Sequence, residues 1–165
     1  MIPVYLILVP VIKYRHKDFH KTRKDNTMQL KNKTKDGYRL KKMNDNTYKL
    51  RRKVINIIYG LNNFLKEKKC DPLPRIEVRI VEEHKCKRAV GGYAYIGKNI
   101  IHIPEKTLDY NYESLLRVVI HEVLHGIGFE HDNNCHIMHP GWPKLVKDNL
   151  TPQKLFTTFL RYINK

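Results

Sequence analysis

Between His121 and Pro140 the chain reads HEVLHGIGFEHDNNCHIMHP, and the residue types gathered there are those of metal chemistry. His121 and His125 stand four apart inside an apolar pattern of helical period. On a helix that spacing puts two imidazoles on one face, a turn apart, so both can offer a nitrogen to one ion. Gly128 follows three residues after the second histidine. A glycine at that point can take positive φ, end the helix and swing the chain back, which places His131 as a third ligand. Three protein ligands leave a zinc ion one position for water or substrate, the arrangement of a catalytic rather than a closed structural site. Glu122 lies beside the first ligand and points next to the ion. There a carboxylate can take a proton from zinc-bound water and later hand it to a leaving amine. Five fixed positions of this kind match by accident in such a chain on the order of once in twenty thousand.

These side chains need particular elements to hold them. Tyr112 to Gly126 has the pattern of the metal helix, with Leu115, Leu116, Val118, Val119, Val123 and Leu124 on its buried sides. An earlier amphipathic helix runs from about Leu50 to Lys68, repeating Val54, Ile57, Ile58, Leu61 and Leu65, until Asp71-Pro72 and Pro74 stop it. Arg75 to Val81 alternates as a half-buried strand. Gly91-Gly92 marks a turn or a close backbone approach. Tyr93 to Ile96 and Ile100 to Ile103 read as short strands joined at Gly97 to Asn99, with Pro104 and a polar linker after them. A coil from Asn133 to Leu150 precedes Thr151-Pro152, an N-cap and first-turn proline that open a last helix ending near Ile163. Strands mixed with helices in this irregular order imply a small α/β layer structure.

HEVLHGIGFEH is similar to the extended zinc signature HExxHxxGxxH of the metzincin metallopeptidases. The resemblance implies a zinc-dependent endopeptidase with one catalytic Zn2+ held by His121, His125 and His131, and Glu122 as general base and then acid. It implies a Met-turn at Ile137-Met138, with Met138 under the metal as its floor. It also implies an antiparallel edge strand upstream of the metal helix, Gly92-Tyr93-Ala94-Tyr95-Ile96, along which an extended substrate adds as a further strand. A specificity pocket would be lined by Pro140 to Pro143, including Trp142. The expected fold class is therefore α/β: a small mixed sheet with an antiparallel edge strand, an active-site helix and a C-terminal helix. The resemblance covers about Leu50 to Lys165. Asp132 after the third histidine looks like the adamalysin group, whereas the compact size and the Met-Xaa-Pro ending look like matrixins. His136 and His139 read as solvent-facing or as hydrogen-bonding neighbours of the ligands, and a Cys135 thiolate would close the open position. His16, His20, His84 and His102 read as incidental.

The chain has 165 residues, enough for one domain with a real core, and it carries a formal net charge of +16. Residues 1–49 read as an apolar start followed by a basic arm, and residues 50–165 as the catalytic domain. Met1 to Ile12 is too short to span a bilayer. It reads as a strand, Val4 to Val11, or as a weak signal-like segment that would take the protein out of the cell. Lys13 to Arg52 is a Lys- and Arg-dense arm, with short strands expected at Gly37 to Leu40 and Tyr48 to Leu50. The charge would draw acidic protein or peptide substrates to the cleft. It also admits a rival class, a basic nucleic-acid-binding or partner-binding protein with a non-catalytic zinc, although no nucleic-acid motif accompanies it. Three cysteines, Cys70, Cys86 and Cys135, make neither a disulfide framework nor a CxxC site.

Overall fold

The structure is a computed structural model, and it describes residues 44–82, 91–140 and 151–164, all within the compact unit Lys31–Lys165. The expectations for the apolar start, most of the basic arm, Gly37 to Leu40, Cys86, Trp142 and Pro143 lie outside the described residues.

The first helix, α1, spans Asp45–Glu67. It begins earlier than apolar periodicity indicates because Asn44 and Thr47 form a reciprocal cap. The Thr47 N–H donates to Asn44 Oδ1 at 2.9 Å, and the Asn44 N–H donates to Thr47 Oγ1 at 2.7 Å. Tyr48 to Leu50, expected as a strand, is therefore helical. Leu50 is the first residue of the buried stripe that continues through Val54, Ile57, Leu61 and Leu65. A short run of three residues has no period of its own, and the cap upstream of it decides the outcome. Lys69 takes a positive φ of 58° just beyond the helix, and the Cys70 N–H closes back on the Leu65 carbonyl at 2.9 Å.

Three strands form a mixed sheet in the order β1-β3-β2: β1 is Glu77–Val81, β2 is Tyr93–Tyr95 and β3 is Ile100–Pro104. β1 runs parallel to β3 with Val78 opposite Ile101, and β2 runs antiparallel with Ala94 opposite Ile101. β2 is thus an outer strand among the described residues. Alternation puts Ile101 and Ile103 on the helix-facing side. Both are fully buried, as are Leu115, Leu116, Val119, Ile120, Val123 and Leu124 of α2, which spans Tyr112–Ile127. Burying each such aliphatic side chain contributes about 1.5–3 kcal/mol. The segment before α2, expected as a polar linker, is a 3-10 helix at Glu105–Asp109, in which buried Thr107 donates its hydroxyl to the Pro104 carbonyl at 2.8 Å. Asn111 caps α2 by accepting from the Ser114 N–H at 2.8 Å.

The last helix, α3, spans Pro152–Ile163 and starts at the Thr151 cap, as its sequence indicates. It packs Leu155, Phe159 and Tyr162 against α2 and α1. The architecture is mixed α/β, three α-helices and a three-stranded sheet among the described residues. None of these helices is long and apolar enough to cross a membrane.

Candidate metal centre

α2 carries His121 and His125 on one face, and its end brings in the third histidine. Gly128 has φ +120°, and its N–H donates to the His125 carbonyl at 3.0 Å while the Phe129 N–H reaches back to the Leu124 carbonyl at 3.0 Å. That pair of bonds is the Schellman pattern, and it needs a residue tolerant of positive φ. The chain leaves the helix turning toward the histidine face. His131 comes to rest with Nε2 at 3.2 Å from His125 Nε2, and His121 Nε2 lies 3.1 Å from the same atom. One ligand atom from each of the three rings falls within a 4.8 Å cluster.

The other ring nitrogens decide what these atoms are. His121 Nδ1 is 2.7 Å from the Ile137 carbonyl and His125 Nδ1 is 2.7 Å from the Phe129 carbonyl. A carbonyl only accepts, so each Nδ1 donates, and a neutral ring then presents a lone pair at Nε2. Burial, opposed in part by the Ile137 bond, pushes His121 down to about 4, with the His125 and His131 rings adding to the fall. Burial, together with His125 and His139, also lowers His131. Lone pairs of neutral rings facing one another at about 3 Å repel unless a cation lies between them. Tetrahedral Zn–N bonds of about 2.0–2.1 Å set nitrogens about 3.3 Å apart, so the donor set fits a metal ion held through three Nε2 atoms. Imidazole donors suit first-row transition ions and zinc, not the hard calcium or magnesium ions that prefer oxygen.

Glu122, the next residue to His121, is 5% exposed, and burial pushes its carboxyl up to about 8. Gly91 and Gly92 explain how the backbone crosses it. A Cβ on Gly91 would sit 2.8 Å from Val118 Cγ2, and one on Gly92 would sit 2.7 Å from Glu122 Cγ and 2.9 Å from Oε1. Of the two roles the sequence offers this pair, close approach is the one found. Ala94 faces α2, whereas the Tyr93 and Tyr95 rings lie on the opposite side of the sheet around His102, at 5.7 and 5.3 Å between ring centres. So β2 brings backbone, not tyrosine side chains, toward the metal helix.

Ile137 and Met138 form a short 3-10 turn and are fully buried. The turn is held by the Asp132 N–H donating to the Met138 carbonyl and the Met138 N–H donating to the Cys135 carbonyl, both at 3.0 Å. Its Ile137 carbonyl is the group that orients His121. Cys135 is a free thiol and is not part of the histidine cluster. Pro140 is exposed just past the turn.

One contribution went unread in the sequence, the contact that a recognised turn makes with α2. The turn Gly97 to Asn99 between β2 and β3 clasps the end of α2, with the Gly97 N–H on the His125 carbonyl at 3.0 Å and the Asn99 N–H on the Gly126 carbonyl at 2.8 Å. Positive φ at Gly97 (69°) and Asn99 (54°) makes that possible, and a Gly-Lys-Asn turn was the one available signal. No family model matches the chain, and no curated protein or solved structure is significantly similar to it.

Proposed function

We propose that this chain is a metzincin-like zinc-dependent endopeptidase, with zinc held by His121, His125 and His131 and Met138 in the turn that floors the site. The observation that carries the reading is the pairing of a three-imidazole cluster with an adjacent buried carboxyl, Glu122, over which the backbone leading into the outer strand passes at Gly92. A purely structural metal site has no use for a carboxyl kept there against the cost of burial. The order β1-β3-β2, with an antiparallel outer strand, agrees with the layout the resemblance implies.

Zinc bound by three imidazoles supplies Lewis acidity and one open position. The chain's own groups do the rest. The Ile137 and Phe129 carbonyls fix two ligand rings so that their lone pairs converge without reorganisation. The backbone of Gly92 and of β2 after it offers an extended peptide hydrogen bonds, aligning its scissile carbonyl. Burial alone keeps the Glu122 carboxyl high, and a bound cation beside it would restore the carboxylate. As that carboxylate, Glu122 draws a proton from the attacking water as its oxygen bonds to the carbonyl carbon. It then delivers that proton to the nitrogen as the C–N bond breaks, so the carboxylate is regenerated.

The test is zinc content together with proteolysis of a generic protein substrate, comparing wild type with Glu122→Gln. Both proteins should hold about one zinc per chain, with cleavage reduced about 10²–10⁴-fold in the variant. Equal cleavage by both proteins would remove Glu122 from the mechanism, and absence of bound zinc would sink the reading at its root.

A further inference from the structure

Away from the histidines, a groove of about 430 Å³ opens between α1 and the β1 side of the sheet. Arg51, Arg75 and Lys98 line it together with the aliphatic side chains Ile55, Ile76 and Ile100. Among the described residues the single carboxylate in its wall is Glu77, and that charge is engaged elsewhere. Arg79 Nε donates to Glu77 Oε1 at 2.7 Å and holds the carboxyl below its usual range, with Arg51 adding only through its field. Among the described residues Arg51, Arg75 and Lys98 close no ion pair of their own. Ile55 is 46% exposed and leaves apolar surface on this wall of the groove.

We propose that this groove binds an acidic peptide segment, its carboxylates on Arg51, Arg75 and Lys98 and its aliphatic parts against Ile55, Ile76 and Ile100. Three cations around apolar walls match a chain in which carboxylates alternate with aliphatic side chains. A phosphate fits less well, because a dianion has no apolar surface to cover the isoleucines and meets the fixed Glu77 carboxylate with twice the charge. The net charge of +16 draws any polyanion toward the molecule, and the groove is where geometry selects among them. Lys98 sits in the turn that clasps the end of α2, so the groove shares an element with the metal helix. The binding itself does not depend on the peptidase reading.

The experiment is fluorescence anisotropy on the full chain carrying Glu122→Gln, which keeps the probe from being cut. The probe is a labelled peptide of alternating Glu and Leu, beside its Gln-Leu counterpart. The Glu-Leu peptide should bind at least about tenfold more tightly, and Arg51→Gln with Lys98→Gln should remove about tenfold of that affinity. The double variant Lys154→Gln with Arg161→Gln on α3, which loses the same charge, should change it less than about twofold. Thermal melts identify any variant that has lost its fold, and the single change Lys98→Gln, at an exposed turn, then replaces the double. Equal losses in the two double variants would overturn the proposal in favour of unspecific attraction. Inorganic phosphate or a single-stranded oligonucleotide binding more tightly than the peptide, and with the same dependence on Arg51 and Lys98, would overturn it in favour of a phosphate site.

Discussion

Glu122 and Gly92 are a pair at the scale of single residues. The carboxyl is where it is because the residue across from it has no side chain: a Cβ on Gly92 would fall within 3.0 Å of three Glu122 atoms. Gly92→Ala should therefore push the carboxyl aside, costing about 1–3 kcal/mol of stability and lowering cleavage by about tenfold or more. Zinc content should be unchanged, since the atoms a Cβ at Gly92 meets first all belong to Glu122; metal analysis beside kcat measures both, and loss of zinc would contradict the assignment. The same carboxyl sets a pH dependence in chelator-stripped protein. Burial raises Glu122 to about 8 from 4.5, so the folded state binds the extra proton and stability falls as pH rises between those values. His121 is lowered to about 4 from 6.5, so stability falls as pH drops through that window. Metal-free protein should be most stable near pH 5–6 in urea titrations, and Glu122→Gln should flatten the alkaline side. An unchanged alkaline slope in the variant would assign it to another group.

Among the elements, α2 is held at both faces of its last turn. Gly128 turns the chain so that the Phe129 carbonyl meets His125 and His131 joins the cluster, while the Gly97–Asn99 turn satisfies the His125 and Gly126 carbonyls. At Gly128 nothing lies within 4 Å of a would-be Cβ, so a substitution there meets backbone strain alone. Gly128→Ala should cost about 1–2 kcal/mol and weaken zinc binding about tenfold by misplacing His131 and the Phe129 carbonyl. Gly128→Asn should lose less, because asparagine tolerates positive φ better. Competition with a chelator of known affinity reads both, and an alanine variant binding as tightly as wild type would show that the turn does not position the third ring. The legibility of the elements follows their range. α2 and α3 were readable because their signals are local: apolar period and a closing glycine for α2, a Thr-Pro start for α3. The start of α1 was missed by about a turn because its cap uses Thr47 where glutamate or glutamine is the usual partner of the N-cap.

For the molecule as a whole, an ion held by the cluster would link folding to metal. With the ion removed, three ring nitrogens face one another at the point where α2, the loop to Met138 and the 3-10 turn meet. Occupancy at about a thousandfold excess over Kd should stabilise the chain by about 4 kcal/mol. Differential scanning calorimetry with and without chelator checks this, and identical transitions would mean that no ion is held by the folded form. The groove beside α1 is a second whole-molecule feature, assembled from α1, β1 and the β2–β3 turn.

The sequence by itself determined the mixed α/β class, the helix that carries His121 and His125, and the grouping of these two with His131. All three rest on short-range physics: helical spacing of ligands, glycine at a helix end, alternation in a strand. The tertiary structure alone decided that Gly92 lies over Glu122, that the Ile137 carbonyl orients His121, and that the Gly97–Asn99 turn clasps the end of α2. It also decided that the Tyr93 and Tyr95 side chains turn away from the metal helix, since the face a strand presents depends on its partner's register. These contacts join residues 16 to 30 positions apart, as with His121 and Ile137 or Gly92 and Glu122. No local pattern encodes such a meeting; packing of the sheet against α2 brings it about.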